Sequence, residues 1–204
     1  MNLRAHLLPR IRLYLQGQNV PHNLNIFHAS ELHSEQDFIL IKDNRIYSHK
    51  LARFYHTTYD MRRAEDVINP RTSHCDIMLL APREGEVELA TPAHPFLYAR
   101  VLGIFHINII YNGPGMVNYE AMRFDFLWVR WFDVTQRSRS TVLDRLVFPP
   151  MASKDSFGFV DPVDVLRGCH LLPVFSEGKR HLDGIGLSRS ARDGQEWKAY
   201  FVNR

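Results

Sequence analysis

Apolar residues recur at helical spacing once, at the start of the chain, and at strand spacing in several stretches after it. Between residues 3 and 16, Leu7, Leu8, Ile11, Tyr14 and Leu15 alternate with arginines, the pattern of a short amphipathic helix that starts or bends at Pro9. Residues 17–37 are polar, rich in Asn, His and Ser, and aperiodic, which predicts a linker or surface loop. Phe38–Ile41, the turn-forming Asp43-Asn44 pair and Ile46-Tyr47 together predict a β-hairpin. Leu51–Tyr59, with aromatic and Thr residues, predicts a further strand. Residues 60–73 carry Arg62-Arg63 and Glu65-Asp66 and end at Asn69-Pro70, so a charged turn or crossing segment is expected there. Asp76–Leu80 is a short buried strand stopped by Ala81-Pro82. Residues 83–95, with Glu84, Glu86, Glu88 and two prolines, predict an exposed acidic loop.

The second half is denser in β-formers. Phe96–Tyr111 predicts a long strand bent or bulged at Gly103, followed by a turn at Asn112–Gly115. Met122–Phe132 is its expected partner, with Phe124, Phe126, Trp128, Arg130 and Phe132 on one face and Leu127, Val129 and Trp131 on the other, so both faces are expected to be covered. A polar loop at 133–140 leads to a strand at Val142–Phe148. Asp161, Pro162 and Asp164 have the form of a helix start, with Asp as cap, Pro at the first position and an acid in the first turn, and Gly168 is expected to end that helix. His170–Phe175 predicts a strand, and Trp197–Val202 a final strand or helix. The chain contains no tandem repeat and no low-complexity tract. It divides into a peripheral helix and loop at 1–36, a strand-rich block at 37–82, the acidic loop at 83–95, and a β-domain with a C-terminal tail at 96–204.

Composition narrows the class without naming a function. With 45% hydrophobic and 23% charged residues, the 204-residue chain has the makings of an ordinary globular core. The formal net charge of +3 is small and interleaved, unlike the clustered charge of a basic arm. Two cysteines, Cys75 and Cys169, are too few for a disulfide framework and lack the CxxC spacing of a structural zinc site, which fits a reducing compartment. The first residues are interrupted by Arg4, His6, Arg10 and Arg12 and do not form a signal-peptide core, and no apolar run is long enough to cross a bilayer. A non-secreted, intracellular protein without membrane association is expected.

The residue patterns that could carry chemistry are weak ones. Cys169-His170 and His74-Cys75-Asp76 put reactive groups next to one another, but neighbours on a strand point to opposite faces. His28 and His33 miss the spacing of a helical metal-ligand pair. Gly113-Pro114-Gly115 and Gly184-Ile185-Gly186 match no phosphate-binding or dinucleotide fingerprint and predict turns. No catalytic residue, metal ligand or cofactor is therefore assigned. Short basic clusters in expected loops, Arg62-Arg63, Arg137 with Arg139, and Lys179-Arg180, could meet phosphates or an acidic partner. Tyr98, Trp128, Trp131 and Phe132 could form an aromatic recognition surface that stacks on a base or cages a methylated lysine, or could be core.

Ordered blocks of the sequence resemble a known group. "KDNRIYSHKLARFYHTTYDMRRAEDVINPRTSHCDIMLL", "HPFLYARVLGIFHINIIYNGPG", "FDFLWVRWF", "FGFVDPVDVLRGCHLLPVF", "GKRHLDG" and "WKAYFVNR" resemble the C-terminal region of transposon-associated proteins of mushroom-forming fungi, of the Plavaka or Kyakuja-Dileera-Zisupton kind. The resemblance spans roughly residues 37–204 and implies that DNA cutting belongs to a separate upstream nuclease domain. In its fold, "YARVLGIFHINII", "FLWVRWF" and "FVDPVDVLRGCHLLPVF" are similar to the core of bromo-adjacent homology domains, which implies a small β-barrel that reads chromatin or partner proteins. Asp133 follows "VRWF" where such domains often carry a tyrosine-arginine-proline turn, so a full methyl-lysine cage does not carry over.

The expectation is then a mostly β protein: a twisted, partly open barrel of the bromo-adjacent homology type, with added N-terminal strands and short peripheral helices. Its expected function is that of a non-catalytic, nuclear interaction module binding chromatin, a histone tail or the DNA backbone, with a parent transposase as a further partner. The alternatives are a metal-dependent hydrolase or nuclease, and a structural tail that supports folding or dimerisation of a transposase.

Overall fold

The computed structural model describes residues 3–17, 36–57, 62–81, 94–113, 119–135 and 143–203. The loops expected at 17–37, 83–95 and 133–140 fall largely outside them. The protein is mostly β, and the described residues form one α-helix, α1 (Leu3–Gly17), and ten strands: β1 (Ile39–His49), β2 (Ala52–Thr57), β3 (Arg63–Ile68), β4 (Asp76–Leu80), β5 (Phe96–Tyr111), β6 (Met122–Val134), β7 (Arg145–Val147), β8 (Phe157–Val160), β9 (Val165–Pro173) and β10 (Tyr200–Asn203). Eight of them form an antiparallel sheet in the order β1-β5-β4-β9-β10-β7-β6-β8, in which β5 also pairs with β6; β2 and β3 form a separate two-stranded ladder. Among the described residues, no helix is long and apolar enough to cross a membrane.

The chain separates into two compact units, Met1–Ser48 with Phe105–Phe126, and His49–Ile104 with Leu127–Arg204. The boundary in β5 falls one residue beyond Gly103. In the first unit, Leu7, Leu8 and Ile11 are buried, as their helical spacing requires. The helix starts at Leu3 and contains Pro9, so Pro9 is not its first residue as the pattern had allowed. Arg10 Nη1 donates to the main-chain carbonyl of Asp125 at 2.7 Å, and its guanidinium lies 5.0 Å from the centre of the Phe124 ring. The expected hairpin at 38–47 is a single element, β1, with Asp43 and Asn44 both left-handed at φ 57° and 51°, the conformation for which an Asp-Asn pair is suited.

In the second unit, a period of two sorts side chains onto two buried faces. Ile77 and Leu79 of β4, Ala99 and Val101 of β5, and Leu127 and Val129 of β6 join Phe54 and Ile68 of the β2–β3 ladder in one apolar cluster. The alternate residues Met78, Tyr98 and Phe132 join Leu146, Phe148, Tyr200 and Val202 in a second cluster. Burial on both faces explains why "DIMLL" and "FLWVRWF" read as near-continuous apolar runs, interrupted only by the buried Asp76 and Arg130.

Two departures from the sequence pattern follow from charge and from glycine. The segment at 60–73, expected to be a charged turn or crossing segment, contains β3, whose Arg63, Glu65 and Val67 are exposed while Ile68 is buried. The helix expected after Asp161 is a single 3₁₀ turn, Pro162–Asp164, capped by the Asp161 carboxylate, which accepts from Val163 N at 3.1 Å. Gly168 therefore does not end a helix but lies inside β9, where a Cβ would come within 3.1 Å of Ile68 Cδ1 and 3.4 Å of Asp66 Cβ. Its amide donates to Asp66 Oδ2 at 2.9 Å.

The second cluster also holds charge. Arg130 and Glu196 are buried as an ion pair between Nη1 and Oε1, and Arg130 Nε, Arg130 Nη2 and Glu196 Oε2 make no hydrogen bond among the described residues. Burial pushes the Glu196 carboxyl up and the Arg130 guanidinium down, each opposed by the other's charge. Removing one partner would leave an uncompensated buried charge, so Glu196→Ala is expected to lower stability by about 3–5 kcal/mol. The double replacement Arg130→Met with Glu196→Leu is expected to recover most of that loss, as read by urea unfolding.

Candidate functional site

The turn after β3 is built from its own polar side chains. Thr72 N donates to Asn69 O at 3.0 Å with Pro70 at the second position, and Asn69 Oδ1 accepts from Arg71 N at 3.0 Å. Asn69 N then donates to His74 O at 2.7 Å, and His74 N to Thr72 Oγ1 at 3.2 Å. This turn brings His74 to β9, where its ring meets that of His170 edge to face, centroids 5.1 Å apart. A cleft of about 590 Å³ opens here, lined by β3, the turn, the start of β4 and β9.

The charges of the cleft are unequal in their commitments. Glu65 accepts from Arg53 Nη1 at 2.7 Å. Asp66 accepts from Gly168 N and lies 3.4 Å from His56 Nδ1. Asp76 is gripped by Arg100 through Nε at 2.8 Å and Nη2 at 3.1 Å. Each carboxylate on the lining is thus bonded within the protein, and Arg167, whose Nε donates to Gly168 O at 3.4 Å, lines it with the imidazoles of His74 and His170. Arg71 is exposed in the same turn, and Arg192 Nη1 donates to Pro70 O. An arrangement of this kind can accept an anionic group.

Both cysteines sit behind the imidazoles. Cys75 and Cys169 are buried, whereas His74 and His170 are exposed. Burial, reinforced by the neighbouring Asp76, pushes the Cys75 thiol up to about 12 and raises that of Cys169 as well. The protonated thiols are poor nucleophiles. In the sequence, His74-Cys75-Asp76 and Cys169-His170 are separate runs to which no chemistry is assigned. Their reversed order, His-Cys and Cys-His, on chain segments that run antiparallel was the one signal that they meet.

The expected aromatic surface is largely core. Tyr98 is 1% exposed and donates its hydroxyl to Asp144 Oδ2 at 3.1 Å, and Phe132, 6% exposed, stacks on Phe148 with centroids 4.0 Å apart. The recognition role expected of these two is corrected accordingly: their side chains complete the second apolar cluster. Trp128 and Trp131 are half-buried; Trp128 stacks on Phe157, and Trp131 packs on the first cluster. Arg62 and Arg63 are exposed at the start of β3, the strand whose later residues line the cleft. Lys179 bonds Gln195 at 2.8 Å and Arg180 bonds Phe148 O at 2.8 Å, and neither lines the cleft. Arg137, Arg139, His28 and His33 lie outside the described residues.

No protein-family model matches the sequence, and no significant match is found among curated proteins or solved structures.

The thiols provide a direct check. A raised folded-state pKa means that the unfolded chain releases its proton first, so stability is full below the unfolded value near about 8.5 and falls as pH rises toward the folded one. Unfolding midpoints are expected to decline above about pH 8.5, less steeply in Cys75→Ala. The native protein should also resist thiol-specific reagents at neutral pH, and react at both cysteines once denatured.

Proposed function

We propose that this chain is a non-catalytic interaction module of a transposon-derived nuclear protein, and that its cleft takes the phosphate backbone of DNA in chromatin. The observation that carries this reading is the charge balance of the cleft. Glu65 and Asp76, which would repel a phosphate, are each paired with an arginine, Asp66 accepts from the Gly168 amide, and Arg167, His74 and His170 line the cleft beside Arg71. Arg62 and Arg63 at the start of β3 extend the cationic surface along the same strand. The pairing of β5 with both β4 and β6 supports a partly open barrel similar to bromo-adjacent homology domains as the scaffold. Between the two chromatin components, the geometry favours DNA. A basic histone tail finds few uncommitted acids in the cleft, and a methyl-lysine cage would need Tyr98 and Phe132 exposed. The buried, protonated thiols support binding over covalent catalysis.

Duplex DNA titrated against the full chain tests this. With about three phosphates neutralised, affinity should fall about fortyfold as salt rises from about 50 to about 200 mM. Arg71→Glu with Arg167→Glu should weaken binding by at least about tenfold and flatten the salt slope. Equal binding by that variant, or no binding by the native chain at low salt, contradicts the proposal. So does a preference for histone-tail peptides over DNA.

A further inference from the structure

Between Gly178 and Lys198 the chain leaves the sheet in a long loop whose ends are zipped together. Lys179 and Trp197 form an antiparallel bridge, Arg180 N donates to Glu196 O at 2.8 Å, and Lys198 N donates to Gly178 O at 3.2 Å. Inside the loop, Asp193 is fully buried; its Oδ2 accepts from Leu187 N at 2.8 Å, its Oδ1 from Ser188 N at 3.0 Å, and His181 Nε2 is 3.3 Å from Oδ2. Burial alone would raise the carboxyl, but the amide donors overcome it and hold Asp193 below the usual carboxylate range. A Cβ on Gly186 would stand 2.1 Å from Asp193 Oδ1, so the chain can close around the carboxylate at that point only because glycine is there. The Gly184-Ile185-Gly186 segment, expected to be a turn, is one wall of this enclosure.

The closed loop leaves Leu182, Ile185 and Leu187 outside, 93%, 71% and 82% exposed. Single exposed aliphatics are ordinary surface. Three within six residues of one loop, on a backbone fixed from within, concentrate exposed apolar surface there, and concentrations of this kind mark contact sites. The exposed charges of the same loop have one dominant sign. Arg189, Arg192 and Lys198 are exposed, whereas of the loop's acids Asp193 and Glu196 are buried and Asp183 alone is exposed.

We propose that Leu182, Ile185 and Leu187 dock a short acidic peptide segment of another protein, one that carries its own aliphatic or aromatic residues. Acidic side chains answer the basic rim, and apolar side chains cover the aliphatic centre. A DNA backbone has no apolar surface to offer this centre. An anionic bilayer would receive Asp183 between Leu182 and Ile185, where like charges repel. None of the three aliphatics lines the cleft, so this surface stands independently of the DNA reading.

A fluorescently labelled peptide alternating Glu with Leu and Phe, titrated into the full chain, tests the proposal. Saturable binding is expected. Leu182→Ser, Ile185→Ser and Leu187→Ser combined should weaken it at least about tenfold without moving the thermal unfolding midpoint, since all three side chains are exposed. Arg189→Glu with Lys198→Glu should weaken it as well and reduce its salt sensitivity. Arg71→Glu with Arg167→Glu should leave it unchanged, which separates this surface from the cleft. The proposal is overturned if the native chain does not bind the peptide, if both loop variants bind as well as the native chain, or if phosphatidylserine vesicles bind and the peptide does not.

Discussion

Two arginines and the carboxylates that hold them set the conditions for the rest of the second unit. Arg100 is clamped by Asp76, and Arg130 is buried against Glu196. Between them lie the rings of Phe132, Phe148 and Tyr200, with the Arg100 guanidinium 5.1–5.5 Å from all three ring centres and that of Arg130 4.1 Å from Phe148. Cation–π attraction of about 0.5–2 kcal/mol per contact softens the desolvation of a buried guanidinium, and the carboxylates supply the remainder. The arrangement is specific about position: β4 must lie beside β5 for Asp76 to reach Arg100, and the end of the C-terminal loop must return to β6 for Glu196 to reach Arg130.

That constraint shapes both surfaces. Because Asp76 is paired with Arg100 and Glu65 with Arg53, each of these charges is offset by a cation, whereas Asp66, which accepts from the neutral Gly168 amide, keeps its negative charge on the lining. Two of the three acids on the lining are thereby offset by arginines. Glu196 fixes one end of the loop and Asp193 its interior, and the aliphatics left outside have no way inward. Buried acids thus do the same thing in two places: they fix the backbone and leave the outward chemistry to basic and apolar side chains.

The parts of the fold that could be read from the sequence are those where burial on both faces left a run dense in apolar residues. The bounds of β4 and β5 and the alternation along β6 follow from such runs. β3 escaped notice because Arg63, Glu65 and Asp66 mask the strand behind charge, and only Ile68 at its end is buried. The start of β9 was hidden by Asp161-Pro162, a true but very short helical signal, and by Gly168, whose role depends on Ile68 and Asp66 a hundred positions away. Tyr98 and Phe132 show the limit of reading aromatic residues alone, since composition cannot tell a ring that recognises from a ring that packs. The cleft was legible only as unconnected fragments, because His74 and His170 become neighbours through strand pairing.

The central claim is that a cleft whose acids are internally satisfied receives an anionic backbone. Its most direct test is to follow amide chemical shifts of the full chain during titration with a short DNA duplex. The account predicts progressive shifts confined to the Asn69–His74 turn and to Arg167–His170 of β9. Shifts that leave those residues untouched while moving others would contradict it.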